Sequence, residues 1–240
     1  MGHLFEQFGK LHRVSERTLG QCPRDLVRAC RAAGVRDERV LEAVARVPRA
    51  GFVPAEHAAA AYLDEPVPIA HHQVTTQPSL LARMVEALAL TGRERVLEVG
   101  AGLGWQTALL ARLAAEVFAV ERFADLAREA QANIERHRIA GAYVVVGDGS
   151  VGLAEHAPYD AIVVSAAFPA VPPPLVEQLV ARGQLVQPIG TGGAEDVLLF
   201  RKDDSGRLQC IRQVSQARFV RLYGRHGYSE PRTSGDKNDL

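Results

Sequence analysis

The spacing of apolar residues along the chain predicts two kinds of region, which meet at Pro78. Ahead of that residue, helical spacing predicts one helix that begins at Pro23 and stops at Gly34. A second helix follows, which Asp37 caps and Pro48 ends, and a stretch of proline-rich loops comes after it. The N-terminal part is therefore expected to be helical and to end in loops.

From residue 78 onward, a helical pattern gives way to short apolar runs separated by helical or loop segments. The runs centre near Val96, Val117, Val144, Ile162, Leu185 and Leu198. This alternation predicts an α/β fold with a mainly parallel, doubly wound sheet and helices on both faces. The last apolar stretches, 208–214 and 217–222, lie close together and predict an antiparallel pair at one edge of the sheet.

The first apolar run, residues 96–99, leads directly into a turn with glycine at positions 100, 102 and 104. Glycines at a strand-to-helix turn let the backbone approach a ligand closely, and the helix start adds free N–H groups. A dinucleotide fingerprint needs a third glycine where this chain has Trp105, and the carboxylate of Glu98 would repel a pyrophosphate. The same carboxylate suits an ammonium or a sulfonium group. S-adenosylmethionine carries both, so the loop favours this cofactor over NAD.

Two further acids follow the next two predicted strands. Glu121 lies near the spacing at which an acid meets a ribose hydroxyl, and Asp148 stands between two glycines. Taken singly, each acid is also typical of a strand end or a turn. Their order on successive parallel strands, whose C-terminal ends meet at one edge, favours a common site. The fourth strand ends in small residues, Ser165, Ala166 and Ala167, which leave room for a substrate group.

Composition narrows the possible partners. The chain has 240 residues with 28 basic and 28 acidic side chains, so its formal net charge is zero. That balance offers no support for nucleic acid or an anionic membrane as a partner. The three cysteines show no metal-ligand spacing, and no apolar run resembles a signal peptide or reaches membrane-spanning length. These observations indicate a reduced, cytoplasmic protein. We interpret the adjacent His71 and His72 as loop residues and expect no metal.

Several motifs follow one another in order along the chain. They are RVPR at 46–49, FVP at 52–54, AYLD at 61–64, PVPI at 66–69, QVTTQP at 73–78, RVLEVGAG at 95–102, GDG at 147–149, APYD at 157–160, PIG at 188–190 and FVRL at 219–222. The glycine loop is common among methyltransferases, whereas the QVTTQP loop is much more specific. Through these motifs, the chain resembles the protein-L-isoaspartate O-methyltransferase family over roughly residues 25 to 227.

The resemblance implies a Rossmann-like fold that binds S-adenosylmethionine at the glycine loop, with the segment 74–77 closing over cofactor and substrate. By position, Glu98 would hold the methionine part, Glu121 the ribose, and Asp148 the adenine side. The residues assigned to the cofactor are Thr75, Gln77, Glu98, Gly100, Ala101, Gly102, Glu121, Arg122, Asp148 and Gly149. Those assigned to the substrate are Val74, Thr76, Ser165 and Ala166.

Thr76 is the residue to which the resemblance assigns catalysis. The family normally carries serine at this position, and threonine keeps the hydroxyl group. Val74 stands where threonine is usual, and Ala-His-His at 70–72 stands where glycine is common. These departures concern the substrate rather than the cofactor. From the residues alone, a turn or capping role for Thr76 is the favoured interpretation, because Gln77 before Pro78 is typical of a helix start. With the resemblance, a contact with the substrate is favoured instead.

The resemblance further implies that the enzyme esterifies an L-isoaspartyl residue of a protein or peptide. The ester then cyclises unaided to a succinimide, and hydrolysis returns part of the material to aspartate. An alternative is a relative that methylates an ordinary aspartate of a ribosomally made peptide and leaves an aspartimide. A non-catalytic binding module and an NAD dehydrogenase are weaker alternatives, because the three acids and Thr76 are present and Trp105 replaces a glycine.

The resemblance and the composition together predict three regions. Residues 1–77 form an N-terminal helical segment and substrate loop, and residues 78–228 form the S-adenosylmethionine-binding core. The polar residues 229–240 are expected to be a disordered tail.

Overall fold

A seven-stranded sheet lies at the centre of the computed structural model, which describes residues 22–229. Its strands are β3 (Arg95–Val99), β4 (Glu116–Glu121), β5 (Ala142–Val146), β6 (Tyr159–Val164), β7 (Leu179–Ile189), β8 (Glu195–Lys202) and β9 (Leu208–Ala217). Two short strands that precede them, β1 (Pro68–Ile69) and β2 (Gln73–Val74), form a separate hairpin. The order across the sheet is β5-β4-β3-β6-β7-β8-β9, parallel from β5 to β7 and antiparallel from β7 to β9. The predicted mainly parallel sheet with an antiparallel C-terminal edge is confirmed.

Six α-helices accompany the sheet in the described range. They are α1 (Pro23–Ala32), α2 (Glu38–Arg46), α3 (Pro78–Ala87), α4 (Trp105–Leu110), α5 (Ala124–Arg136) and α6 (Pro173–Gln178). None of the helices within residues 22–229 has the length and apolar composition needed to span a bilayer. The predictions for residues 1–21 and, apart from its first residue, for the tail at 229–240 lie outside the described residues.

Local sequence signals set the helix boundaries as predicted. Pro23 and Pro78 occupy the first turns of α1 and α3, where the missing N–H costs nothing. Gly34 follows α1 with a φ of 101°, a conformation that glycine adopts without a steric penalty. The Asp37 side chain accepts a hydrogen bond from the backbone N–H of Arg39 at 2.8 Å, which caps α2.

Both faces of the sheet are buried, which is why its strands are apolar runs rather than alternating patterns. On β3, Val96 belongs to the core that the sheet shares with α1–α4, and Leu97 belongs to the opposite core, which includes Leu175 of α6. Leu26 of α1 and Met84 of α3 lie in the same cluster as Val96. The N-terminal helices therefore share the main core, and the division at residue 77 stays a prediction.

One predicted strand is wrong. Residues 208–214 belong to β9 as expected, but the stretch 217–222 does not pair with it. Ala217, at the end of β9, pairs with Glu195, which is the first residue of β8. β8 therefore has no further residue with which the chain after Ala217 could pair. The chain turns instead toward the end of β6, where Ala167 bonds the backbone of Val220 and Leu222 at 2.8 Å each. This turn carries residues 220–223 to the C-terminal edge of the parallel strands.

Gly104 sets the distance between the glycine turn and α5. Its φ is 90°, and a Cβ at this position would lie 3.2–3.4 Å from three atoms of Ala130 on α5. The close approach that a dinucleotide fingerprint places at its third glycine thus occurs one residue earlier in this chain. Trp105 is accommodated because Gly104, rather than residue 105, touches the neighbouring helix.

We predict that Gly104→Ala destabilises the protein more than Gly34→Ala does. Both positions have a left-handed φ, which costs an alanine about 1–2 kcal/mol, but a Cβ at Gly34 meets nothing within 4 Å. The contact with Ala130 adds at least about 1 kcal/mol to the cost at Gly104. Urea unfolding of the two variants measures the difference. Equal losses of stability would show that the approach of α5 is not tight.

Candidate active site

The glycine turn after β3 is held in place by the acid at the end of β4. Gly100 and Gly102 have φ values of 93° and 55°. One carboxylate oxygen of Glu121 accepts the N–H of Gly102 at 2.9 Å, and the other accepts the N–H of Phe123 at 3.1 Å. The side chain of Glu121 is 6% exposed and lines the cleft above the turn. A single carboxylate therefore fixes the turns that follow β3 and β4.

Glu98 lies beneath this turn rather than in the cleft. Its side chain is fully buried, and one carboxylate oxygen accepts the hydroxyl of Thr107 at 2.6 Å. The other oxygen has no hydrogen-bond partner among the described residues. The pKa of Glu98 is raised to about 8, mainly by burial; the Thr107 hydrogen bond opposes the rise, and the nearby Glu121 carboxylate adds to it. Glu98 is therefore a buried carboxyl group with one unpaired oxygen, directly below the glycine turn.

A cleft of about 920 Å³, including its open mouth, lies above the C-terminal edge of the parallel strands. Its lining includes the glycine turn 99–103, residues 73–76 from the hairpin, the end of β4 at 120–122, the end of β6 at 165–166, and the C-terminal stretch 220–223. The predicted site residues that line it are Val74, Thr75, Thr76, Gly100, Ala101, Gly102, Glu121, Arg122, Gly149, Ser165 and Ala166. Gln77, Glu98 and Asp148 do not belong to this lining.

The segment from Val67 to Gln77, which we call the lid, covers one side of the cleft. The guanidinium of Arg49 anchors it, although Arg49 is only 1% exposed. Arg49 donates to the carbonyls of Ala61 at 3.2 Å, Leu63 at 3.1 Å and Glu65 at 2.9 Å. It also donates to the Thr75 hydroxyl at 2.8 Å. Burial lowers the pKa of Arg49 to about 10, with Asp64 opposing the shift, so the group is charged at neutral pH.

The two threonines of the lid have different environments. The Thr75 hydroxyl accepts from Arg49 and from the N–H of Val67 at 3.0 Å, and the Thr75 N–H donates to the Val67 carbonyl at 2.8 Å. Its side chain therefore holds the lid together. The Thr76 hydroxyl makes no hydrogen bond to any residue within 22–229, and Thr76 lines the cleft. Of the two hydroxyls, that of Thr76 is the one with no hydrogen bond to the described part of the chain.

Asp64 fixes the end of the lid. Its carboxylate accepts from the Gln77 side chain at 3.0 Å and from the backbone N–H of Ser79 at 2.8 Å. The second bond caps α3, as an aspartate near a helix start commonly does. The Gln77 side chain is thus part of the scaffold, and its predicted contact with the cofactor stays a prediction.

The tip of the lid is fastened to the start of α5. His71 and His72 form the hairpin turn with φ values of 58° and 55°, so both are loop residues, as interpreted from the sequence. The His71 ring stacks on Phe123 with 4.1 Å between the ring centroids. Its Nε2 lies 2.7 Å from a carboxylate oxygen of Asp125, and this hydrogen bond lowers the pKa of Asp125. These contacts place the hairpin over the glycine turn, where a Cβ at Gly102 would lie 3.6 Å from the Cδ1 atom of Ile69.

Asp148 is occupied by the C-terminal part of the chain. One of its oxygens accepts from the backbone N–H and the hydroxyl of Ser150, and the other accepts from the N–H of Arg225 at 2.7 Å. These hydrogen bonds lower the pKa of Asp148. Its predicted role beside the adenine stays a prediction, whereas the next residue, Gly149, lies at the cleft.

Comparison with known proteins identifies the family. The model of the protein-L-isoaspartate(D-aspartate) O-methyltransferase family matches residues 22–227. The chain belongs to this family. The protein-L-isoaspartate O-methyltransferase of Koribacter versatilis is 46% identical over 202 residues, which cover 84% of this chain and 90% of the relative. That of Aeropyrum pernix is 47% identical over 210 residues, covering 85% and 80%.

Solved structures of this kind share the fold. A protein-L-isoaspartate O-methyltransferase superposes with a TM-score of 0.72 at 28% identity, over 85% of this chain and 67% of the other. A Plasmodium falciparum structure described as a putative methyltransferase of this type, in complex with S-adenosyl-L-homocysteine, superposes with a TM-score of 0.70. It is 23% identical over 85% of this chain and 99% of its own, so it supports the fold alone. The family resemblance and the methyltransferase fold expected from the sequence are confirmed.

Sequence reasoning missed three contributors to this methyltransferase site. Arg49 was part of a recognised motif, but its role as the lid anchor had no local signal. Gln106 is 5% exposed, lines the cleft, and donates to the Ser165 hydroxyl at 3.4 Å. Tyr223 lines the cleft from the C-terminal stretch, and the guanidinium of Arg122 lies 5.0 Å from its ring. Of the three, Gln106 alone had a usable sequence signal, which is a polar side chain at the start of the helix that follows the glycine turn.

We predict that Glu98→Gln changes how stability depends on pH. Because folding raises the pKa of Glu98 from 4.5 to about 8, the folded state holds a proton there that the unfolded state releases between these values. Wild-type stability therefore falls as pH rises through this window, and the glutamine variant lacks this loss. The stability of the variant relative to wild type should rise by more than about 1 kcal/mol between pH 5.5 and 8, because one pKa unit is worth about 1.4 kcal/mol.

Urea unfolding at both pH values, with the exposed Glu129→Gln as a control, tests this dependence. Parallel profiles for wild type and Glu98→Gln would contradict the assignment of the buried carboxyl.

Proposed function

We propose that this protein transfers the methyl group of S-adenosylmethionine to the free carboxylate of an L-isoaspartyl residue in a protein or peptide. One observation carries the proposal: the unbonded hydroxyl of Thr76 and the glycine turn line the same cleft. The relatives that are 46–47% identical are named for this reaction, and the chain belongs to their family.

The residues present fit the cofactor. A Cβ at Gly100 would lie 3.5 Å from the Cβ of Ser165, so glycine keeps this part of the cleft open for a ligand. The unpartnered oxygen of Glu98 leaves a buried carboxyl group beneath the turn with hydrogen-bonding capacity for the methionine part. Each oxygen of Glu121 accepts one backbone N–H and retains capacity for a ribose hydroxyl. Bound there, S-adenosylmethionine supplies a methyl group on a positively charged sulfur.

The chain's own residues need only orient the acceptor and keep water out. A carboxylate is ionised at neutral pH, since carboxyl groups exposed to water have pKa values of about 4, so no strong general base is required. The hydroxyl of Thr76 donates a hydrogen bond to one oxygen of the acceptor and leaves the other free to react. Correct orientation of two bound reactants is worth roughly 7–11 kcal/mol in favourable cases. Apolar side chains of Phe52, Ile69 and Val220 line the cleft and limit its water content.

A dedicated peptide substrate is the second candidate, and one observation favours it. Val74 is 47% exposed at the cleft, where an apolar side chain gains from covering by a peptide. A protein of this kind would methylate an ordinary aspartate of one peptide, and the ester would close to an aspartimide. The two candidates share the cofactor and the role of Thr76, and they differ in the acceptor alone.

Matched peptides that differ only in an isoaspartyl or an aspartyl residue separate the two candidates. We predict that the isoaspartyl peptide gains the mass of one methylene group when incubated with enzyme and S-adenosylmethionine, and that its aspartyl twin does not. Mass spectrometry over a time course measures both the ester and the succinimide. Methylation of the aspartyl twin alone would favour the dedicated-peptide candidate, and methylation of neither would contradict the isoaspartyl candidate.

Thr76→Ala should lower kcat/KM for the isoaspartyl peptide by about 10–100-fold, since loss of a hydrogen bond to a charged group costs about 1.5–3 kcal/mol. The affinity for S-adenosylhomocysteine should change little, because the Thr76 hydroxyl orients the acceptor. Thr76→Ser is the matched control and keeps the hydroxyl, so its activity should remain near that of wild type. Peptide kinetics and calorimetry measure the two quantities. Unchanged turnover in Thr76→Ala would assign Thr76 to the scaffold.

A further inference from the structure

A second, smaller cavity adjoins the active-site cleft, and Arg221 lines both. The backbone of Arg221 is fixed because its two neighbours bond Ala167 at the end of β6. Its side chain is exposed and extends toward the turn at residues 190–193, with one guanidinium nitrogen 3.9 Å from the Cβ position of Gly192. The charged end of Arg221 therefore lies at the junction of the two cavities.

Aromatic packing holds this guanidinium in place. It lies 5.0 Å from the centroid of the Tyr228 ring, in a cation–π arrangement. The Tyr228 ring in turn packs edge-on against Phe168, with 5.1 Å between the centroids and an interplanar angle of 85°. A planar guanidinium that rests on a ring keeps its N–H edge available for a planar anion such as a carboxylate. The side chain is thus oriented before any ligand arrives.

Arg221 has no carboxylate partner within residues 22–229, in contrast to several other arginines. Those paired with an acid are Arg28, Arg31, Arg46, Arg95 and Arg182. Arg218, which is exposed and lines the same smaller cavity, also has no acidic partner in the described part of the chain. Two cationic side chains therefore face one small cavity without a neutralising ion pair.

The rest of the cavity is consistent with an anion. It includes Gly192 and Gly193, whose φ values of 127° and 107° make an open turn, and a Cβ at Gly193 would meet nothing within 4 Å. The acid in its lining is Glu195, which is 2% exposed. One carboxylate oxygen of Glu195 accepts the backbone N–H of Phe219 at 2.9 Å. Its negative charge is outweighed by the two arginines.

We propose that Arg221 forms a subsite that binds a second carboxylate of the peptide substrate, close in sequence to the residue that is methylated. This inference rests on the proposed function, because it places the acceptor in the cleft and an acidic neighbour in the adjoining cavity. The protein would thus prefer acidic peptides to neutral ones. The second carboxylate can belong to an aspartate or glutamate side chain or to the C-terminus of a short peptide.

A set of isoaspartyl peptides distinguishes these sources. The reference peptide has neutral flanks and an amidated C-terminus. A second series places glutamate at one of the two positions on either side of the isoaspartyl residue, and a third peptide has neutral flanks and a free C-terminus. We expect wild type to prefer the best glutamate peptide to the reference by about fivefold in kcat/KM, mainly through KM, which is typical of a partly exposed charge pair. The preference should decline as salt is added.

Three variants assign the preference to the subsite. Arg221→Gln should remove it, and Arg221→Lys should keep part of it because the charge remains. Arg218→Gln should reduce it, which provides a second test if the first variant unfolds. Arg93→Gln removes an exposed charge remote from both cavities, so it should leave both kcat/KM values unchanged. Thermal unfolding confirms that each variant is folded.

The outcomes separate this inference from the proposed function. Equal kcat/KM values for acidic and neutral peptides in wild type, or a preference that survives in Arg221→Gln, would overturn the subsite and leave the methyl transfer intact. Equilibrium binding of labelled peptides in the presence of S-adenosylhomocysteine decides the subsite even if no peptide is methylated. Absence of methylation with retained preference for acidic peptides would overturn the proposed function alone.

Discussion

The site depends on one buried guanidinium. Among residues 22–229, no carboxylate contacts the guanidinium of Arg49, which lies in the protein interior. It is stabilised by three backbone carbonyls, one hydroxyl and the face of Trp105, whose ring centroid lies 5.5 Å away. Leaving a buried charge or its partners unsatisfied costs several kcal/mol, so these groups hold one another in a single arrangement. Through them, the start of α4, the loop at 61–65 and the lid are connected to one side chain.

On the opposite wall of the cleft, a negatively charged side chain fixes the backbone in the same way as Arg49 does. Glu121 accepts the N–H groups of Gly102 and Phe123, and so fixes the turns after β3 and β4. The site is thus made of irregular backbone segments whose conformation is fixed by hydrogen bonds to two charged side chains, Arg49 and Glu121. Among the described residues, this arrangement leaves the Thr76 hydroxyl of the lid unbonded, whereas the Thr75 hydroxyl already accepts from Arg49 and Val67. Thr75 thus has a structural role, whereas the adjacent Thr76 is left for the chemical role that we propose.

The features that could be predicted from the sequence are those with short-range causes. Alternating apolar runs predict the strands because burial on both sheet faces requires them, and Asp37 and Pro78 mark helix starts through their own backbone chemistry. The glycine turn was recognisable because its left-handed backbone conformation disfavours residues other than glycine.

Features that join distant parts of the chain were not accessible in the same way. The Asp148 carboxylate bonds the N–H of Arg225, 77 residues away, and nothing local distinguishes this arrangement from a free ligand-binding acid. The apolar residues at 217–222 have the composition of a strand, but β8 has no residue left to pair with them. Arg49 carries no local mark of burial. Its partners are known only once the loop at 61–65 and the lid have folded around it.

A crystal structure of the protein with S-adenosylhomocysteine and an isoaspartyl peptide tests most directly whether the anchored lid presents the acceptor to the cofactor. The expected result is the sulfur atom in the cleft above the glycine turn, with the peptide α-carboxylate accepting a hydrogen bond from Thr76 while Thr75 still contacts Arg49. A nucleoside outside the cleft, or a Thr76 hydroxyl turned away from both the sulfur and the carboxylate, would contradict it.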